Sequence, residues 1–169
     1  MTTFYERLQQ ETETERQYLL SSPLIVAAMK DGITHAEYVA FLEQAYHHVK
    51  HTTPLLMAVG SRIPEKNEWL REKIAHYIEE EVGHQEWILN DIRACGGDAE
   101  VVRHATPSLP VELMISYIWD FVSRRNPAGF FGMVYVLEGT SVNVATQAAD
   151  KIRASLSLPK NAFSYLYSH

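Results

Sequence analysis

Two residues with metal-binding side chains, Glu81 and His84, interrupt an apolar pattern in the middle of the chain. A helix would place them, three residues apart, on one face. An unpaired carboxylate on an apolar face is costly, and a metal ion that binds both side chains removes this cost. Glu-x-x-His is also an arrangement by which helical bundles hold two iron ions. Apolar residues recur at helical spacing on both sides of the pair: Leu70, Ile74, Tyr77, Ile88 and Cys95.

Two other interpretations of this motif stay open. Glu81 and His84 could form a hydrogen bond with each other and bind no metal. Alternatively, the helix could be rotated so that the acidic run from Glu79 to Glu81 faces solvent, as most acidic runs do. We favour the metal-ligand interpretation because a second glutamate shows the same anomaly.

This second glutamate, Glu138, is the third candidate ligand. It directly follows the stretch 130–137, which contains no charged side chain. A helix that is apolar almost all round is predicted to lie centrally in a bundle, so the glutamate needs a partner there. The alternative to a metal is a buried ion pair, for instance with Arg124 or Arg153.

Four further residues are predicted to line a substrate pocket beside these ligands. Phe41, Ala45 and His48 share the apolar stripe of an earlier helical segment, and Tyr135 lies one turn before Glu138. For His48, the alternative is a core histidine whose ring nitrogens are satisfied by neighbours. No catalytic residue is predicted apart from the metal ligands.

Motifs of several other enzyme classes are absent from the sequence. It contains no G-x-S-x-G, no P-loop, no G-x-G-x-x-G and no H-E-x-x-H. Cys95, the single cysteine, lies at the predicted carboxyl end of a helix, where the helix dipole disfavours a thiolate. It is therefore a poor nucleophile, and one cysteine excludes an internal disulfide, a thiolate zinc cage and an iron–sulfur cluster within this sequence.

The composition is that of a single globular domain. The 169 residues are 46% hydrophobic and 21% charged. The net charge of −6, without a basic cluster, argues against a nucleic-acid partner. No apolar run approaches the ~20 residues of a membrane span. The amino-terminal residues show no signal pattern, so we expect a cytoplasmic protein.

Helix start and stop signals predict an all-α bundle, and no strand pattern is present. Residues 97–108 are predicted to form a loop. The last predicted helix has not ended at His169, so we expect this single domain, 1–169, to lack the end of its last helix. Helices are predicted over residues 3–20, 23–31, 34–60 with a bend at Pro54, 64–94, 108–125 and 127–156, and from 159 onward.

The stretch 38–51 (YVAFLEQAYHHVKH), followed by Thr53-Pro54-Leu55-Leu56, resembles the haem-oxygenase-like superfamily. In particular, it is similar to the branch that groups thiaminase-II (TenA) proteins, the pyrroloquinoline-quinone synthase PqqC and the haem-oxygenase-like di-iron oxidases. The resemblance covers essentially the whole chain in helix order and length. It implies a haem-oxygenase-like helical bundle with a central pocket, commonly a homodimer.

The di-iron oxidases carry a Glu-x-x-His helix, a glutamate on a later apolar helix and a final His-x-x-x-Asp-x-x-His helix. Glu81 and His84 match the first element, Glu138 matches the second, and His169 stands where the first histidine of the third would fall. The resemblance therefore implies that these four residues bind iron in a dinuclear site. Manganese is the alternative, because imidazole and carboxylate ligands suit both metals.

The thiaminase-II relatives use a cysteine on the fifth helix and an aspartate on the second. This chain has no cysteine within 130–144 and has Gln44 and Ala45 near the place of the aspartate, which argues against thiamin hydrolysis. The resemblance thus favours an iron-dependent oxidase or oxygenase that acts with O₂ on a small organic substrate. The alternatives are a metal-free enzyme of the TenA or PqqC kind and a non-catalytic ligand-binding or regulatory bundle.

Overall fold

Helices form all the regular secondary structure of the residues that the structure describes. This computed structural model describes residues 2–30 and 32–168, apart from the side chains of Ser141 and Asn143. No strand occurs in these ranges, so the all-α prediction is confirmed. Within them, no helix has both the length and the apolar character needed to cross a membrane. The α-helices are α1 (Phe4–Glu11), α2 (Glu13–Leu20), α3 (Pro23–Lys30), α4 (His35–Val49), α5 (Thr52–Arg62), α6 (Trp69–Glu81), α7 (His84–Ala94), α8 (Ala99–His104), α9 (Leu109–Arg124), α10 (Phe130–Leu156) and α11 (Ser164–Tyr167).

Three of the predicted helices are divided at positions that the sequence pattern did not reveal. The helix predicted over 3–20 is divided at Thr12, and the helix predicted over 34–60 is divided at Lys50 and His51. Pro54 therefore does not bend a continuous helix. It lies in the first turn of α5, where the amide that proline lacks has no partner within the helix.

The predicted loop over 97–108 contains a short helix, α8. Asp98 caps this helix, because its side chain accepts hydrogen bonds from the backbone amides of Glu100 and Val101 at 3.0 and 3.2 Å. The helix predicted from residue 159 begins as a 3₁₀ turn and continues as α11. The helices predicted over 23–31, 108–125 and 127–156 are confirmed to within a few residues as α3, α9 and α10.

The division between α6 and α7 lies inside the Glu-x-x-His motif. Glu81 ends α6 and His84 begins α7, with Val82 extended and Gly83 in the left-handed region at φ +99°. The prediction that one helix face presents both side chains is therefore wrong. The helix break at Val82 and Gly83 leaves the two side chains in contact instead.

Replacing Gly83 by Ala is expected to lower the free energy of unfolding by about 1–2 kcal/mol, because a Cβ is strained in this conformation. A Cβ there would meet no atom within 4 Å, so the backbone alone sets the cost. Urea denaturation measures the change. Gly132→Ala, in the first turn of α10 and also free of contacts, is the control and is expected to stabilise the chain by up to about 1 kcal/mol. Equal stabilisation by both substitutions would contradict the strain at Gly83.

The apolar core consists of two clusters, and the candidate site lies between them. One cluster is built mainly by α4, α7, α11 and the second half of α10, and the other by α5, α6, α9 and the start of α10. Four stretches of the described chain pass from one cluster to the other, and three of them carry polar residues of the site: α4–α5, α6–α7 and α10, but not α8–α9. Thr52, the pair Glu81 and His84, and Glu138 lie at these three crossings, which explains why polar residues interrupt apolar patterns there.

Candidate metal and substrate site

A cavity of about 310 Å³ lies at this boundary between the two core clusters. Its volume is near the lower end of the range for small-molecule sites. Most of the lining is apolar and comes from α2, α3, α4, α9, α10 and α11. The polar side chains that line it are His48, Thr52, Glu81, His84, Glu138, Thr140 and Tyr165.

Glu81 and His84 are buried and in direct contact. His84 Nδ1 lies 3.1 Å from Glu81 Oε2, and the two side chains are only 10% and 8% exposed. Their neighbours Glu79 and Glu80 are exposed, so the solvated-run interpretation does not apply to Glu81. The contact itself agrees both with a pair of metal ligands and with the simpler Glu–His interaction.

Glu138 accepts a hydrogen bond from the phenol of Tyr77. Arg124, one of the alternative partners considered for Glu138, instead forms a two-point ion pair with Asp120 at 2.5 and 2.8 Å. The sequence analysis treated Tyr77 only as an apolar residue. A tyrosine in an apolar line needs a partner for its hydroxyl, and this requirement was the signal that could have linked it to a buried carboxylate.

Burial and crowding of carboxylates alter the ionisation of this site. Burial, together with the nearby charges of Glu138 and Glu80, raises the pKa of Glu81 to about 7. Burial also raises the pKa of the Tyr77 and Tyr165 phenols, and the charges of Glu138 and Glu81 act in the same direction. The site thus disfavours additional negative charge, and a bound cation would favour the ionised carboxylates.

In the iron-free chain, the contribution of Glu81 to the free energy of unfolding is expected to fall by about 3 kcal/mol as the pH rises from about 4.5 to about 7. Below this interval, Glu81 is protonated in the folded and the unfolded chain. Within it, only the folded chain keeps the proton, so raising the pH favours unfolding. Above it, neither state carries the proton and the decrease ends.

Urea unfolding at about pH 5 and about pH 8, with a chelator present, measures this decrease. Glu81→Gln keeps the shape of the side chain but cannot ionise. The stability that this variant loses between about pH 5 and about pH 8 should therefore be about 3 kcal/mol smaller than the loss in the unchanged chain. Glu79→Gln, at an exposed position two residues earlier, is the matched control and should behave as the unchanged chain. The same pH dependence for Glu81→Gln and the unchanged chain would contradict the raised pKa.

Two of the predicted pocket residues, Phe41 and His48, line the cavity. Burial, and secondarily the nearby His51, lower the pKa of His48. The imidazole is therefore neutral at neutral pH and can accept a hydrogen bond. Ala45 is not part of the lining and packs against the first core cluster.

The fourth predicted pocket residue, Tyr135, lies elsewhere. The Tyr135 ring contacts Tyr5 at a centroid distance of 6.1 Å and lies beneath the guanidinium of Arg16 at 5.8 Å, and it does not line the cavity. The fourth predicted ligand, His169, lies outside the described residues, and its role stays a prediction.

Asp91 contributes to the site through the backbone and was not recognised in the sequence. It is fully buried, and its two oxygens accept hydrogen bonds from the amides of Ser164 and Tyr165, each at 2.9 Å. These bonds attach α11 to α7 and hold Tyr165 at the cavity. The available signal was its position three residues after Ile88, which places a charge in the apolar line of the helix.

Cys95 is buried at the end of α7. Burial, with a smaller effect of the Asp91 charge, raises the pKa of the thiol to about 11. A thiol with this pKa is almost entirely protonated at neutral pH. The raised pKa supports the prediction that Cys95 is a poor nucleophile, although burial rather than the helix dipole is its main cause.

Within residues 2–30 and 32–168, no three His, Cys, Asp or Glu side chains are arranged to hold a metal ion. The donor chemistry nevertheless fits iron: an imidazole and two carboxylates, at His84, Glu81 and Glu138, line one cavity. The raised pKa of Glu81 agrees with a side chain whose ionised form needs a nearby cation. These residues are suitable as part of a ligand set that requires further donors.

The sequence profile of a family described as iron-containing redox enzymes matches residues 39–169. The chain belongs to this family. The matched residues of this member of the iron-containing redox enzymes include Glu81, His84 and Glu138. No curated protein matches the chain.

The fold of this family member is similar to that of a domain of unknown function with a heme oxygenase-like fold from Shewanella denitrificans, known from a crystal structure. The TM-score is 0.84 at 25% sequence identity, and the similarity covers 100% of this chain and 73% of the other. The predicted haem-oxygenase-like fold is confirmed.

Proposed function

We propose that this chain is an iron-dependent oxidoreductase that uses O₂ to oxidise a small organic molecule bound in the central cavity. Glu81, His84 and Glu138 would hold the metal, together with His169 from the end of the chain. We further propose a dinuclear iron site, with manganese as the alternative metal. The observation that supports the proposal is that three candidate ligands line one mostly apolar cavity in a member of this family.

When bound, the iron would supply the redox chemistry between O₂ and the organic substrate. The protein's own contribution begins with the positions of its ligands. Tyr77 donates a hydrogen bond to Glu138, which restrains one oxygen of the carboxylate. Outer partners of this kind commonly fix the geometry of metal ligands.

The remaining cavity residues would exclude water and handle protons. The apolar lining disfavours water, which protects reactive species from side reactions. The imidazole of His48 is neutral, because burial lowers its pKa, and its unprotonated nitrogen can accept a hydrogen bond from a substrate. The phenol of Tyr165 keeps its proton, because burial and the charges of Glu138 and Glu81 raise its pKa.

Anaerobic titration of the full chain with Fe(II) tests this proposal directly. We expect between about one and two bound irons per chain, measured by metal analysis after gel filtration. Admission of O₂ should then oxidise the bound iron, as followed by optical spectroscopy. A folded chain that binds no iron would contradict the proposal and favour the metal-free enzyme or the non-catalytic bundle.

Two further expectations from the sequence stay predictions. One is assembly as a homodimer, which sedimentation velocity on the full chain would test. The other is a cytoplasmic location, which fractionation of the cells that produce the protein would test.

A further inference from the structure

A second, smaller cavity adjoins the central one. This apolar annex has a volume of about 130 Å³, and no polar side chain lines it. The two cavities share Ile25, Phe41, Val144, Ala145 and Leu166 as lining residues, so they are separated at most by side chains that border both. The rest of the annex is lined by Leu24, Ala28, Ile33, Ala148 and Ile152.

Helix α10 extends along both cavities. Glu138 and Thr140 line the central cavity, Val144 lines both, and Ala148 and Ile152 line the annex. From Glu138 to Ile152 the helix makes about four turns. The side chains with which α10 lines the two cavities therefore change from polar to apolar from Glu138 towards Ile152.

Thr140 supplies a hydrogen-bonding group near the polar end. Its side chain belongs to a residue that is only 6% exposed, and its hydroxyl has no hydrogen-bond partner in the described part of the chain. A buried hydroxyl without a partner is unfavourable. Since Thr140 lines the central cavity, the polar group of a bound molecule could complete this hydrogen bond.

We propose that the central cavity and the apolar annex together bind one molecule with a single hydrogen-bonding polar group and an unbranched apolar tail. The polar group lies beside Thr140, near Glu138, and the tail extends into the annex. This proposal rests on the proposed function for the statement that the molecule is the substrate. Sugars and nucleotides are excluded, because the annex has no partner for their polar groups.

The n-alkanols from n-butanol to n-decanol are suitable probes, because they carry one hydroxyl and tails of graded length. Isothermal titration calorimetry on the full chain, with and without Fe(II), measures their affinity. We expect affinity to rise about fourfold per methylene until the annex is filled, and then to level off. Affinity that does not depend on tail length would overturn the proposal.

Two variants locate the tail. Ala148→Leu fills the annex, so affinity should level off at shorter tails than in the unchanged chain. Ala154→Leu, at an exposed position later in the same helix, should leave the series unchanged. If Ala148→Leu does not fold, the smaller Ala148→Val is measured in its place. If affinity depends on tail length in the same way in Ala148→Leu and in Ala154→Leu, the alkanols bind elsewhere and the proposal is overturned.

The polar end is tested by Thr140→Val, which removes the hydroxyl at nearly constant volume. It should weaken every alkanol by the same factor, about three- to tenfold, without changing the tail length at which affinity levels off. Unchanged affinities would overturn the role of Thr140. A chain that shows the tail-length series but binds no iron would contradict only the proposed function, whereas an iron-binding chain without the series would contradict only this inference.

Discussion

Replacing Glu81 by Ala is expected to lower the affinity of the chain for Fe(II) by about a hundredfold or more, and His84→Ala should have a similar effect. Loss of even an outer partner of a metal ligand commonly costs 10- to 100-fold, and these substitutions remove a proposed ligand itself. Both side chains are buried at the cavity, 3.1 Å apart. Competition with a chromophoric chelator under anaerobic conditions measures the affinity.

The matched controls for these two substitutions are exposed neighbours of the same residue types. Glu79→Ala and His76→Ala each remove a side chain that faces solvent on α6, so both variants should retain the affinity of the unchanged chain. Circular dichroism on all four variants would show whether the fold is preserved. Folded Glu81→Ala and His84→Ala chains that bind iron as tightly as the controls would remove these residues from the ligand set.

Replacing Asp91 by Ala is expected to lower the free energy of unfolding by about 3 kcal/mol. The substitution removes two charge-assisted hydrogen bonds to backbone amides, each worth about 1.5–3 kcal/mol, but it also removes a buried carboxylate whose pKa is raised by its burial. The amides of Ser164 and Tyr165 lose their partner, so α11 should also loosen. Urea denaturation measures the stability, and hydrogen exchange at residues 164–167 measures the local effect.

The control for this prediction is Asp98→Ala. Asp98 also accepts hydrogen bonds from two backbone amides, those of Glu100 and Val101, but it is exposed to solvent. Water can replace these bonds, so the expected cost is that of an ordinary helix cap, about 1 kcal/mol. Equal destabilisation by both substitutions would contradict the argument that burial makes the Asp91 contacts strong.

The candidate ligands could be predicted from the sequence because each one departs from a local pattern. Glu81, His84 and Glu138 each interrupt a periodic apolar stretch, and such an interruption depends only on neighbours within a few turns. The all-α class has the same local origin, since caps and helical spacing act over a few residues. The resemblance to the di-iron oxidases added the grouping of these residues as ligands.

The sequence did not determine the rotation of each helix about its axis accurately enough to predict which side chains line the cavity. Ala45 lies three residues before His48 and shares its apolar stripe, yet only His48 lines the cavity. Tyr135 lies one turn before Glu138 but contacts Tyr5. A broad apolar face meets several neighbours, and only the packing of the other helices decides which part of it faces a cavity.

What the sequence by itself determined is which residues need a partner, because an unpaired carboxylate or imidazole in an apolar pattern is unfavourable wherever the chain folds. Only the tertiary structure decided which residues are these partners. Tyr77 bonds to Glu138, 61 residues away, and Asp91 bonds to the amide of Ser164, 73 residues away. The helix break at Gly83 was also decided by tertiary structure. Its left-handed conformation interrupts the helix because α6 and α7 pack on different core clusters.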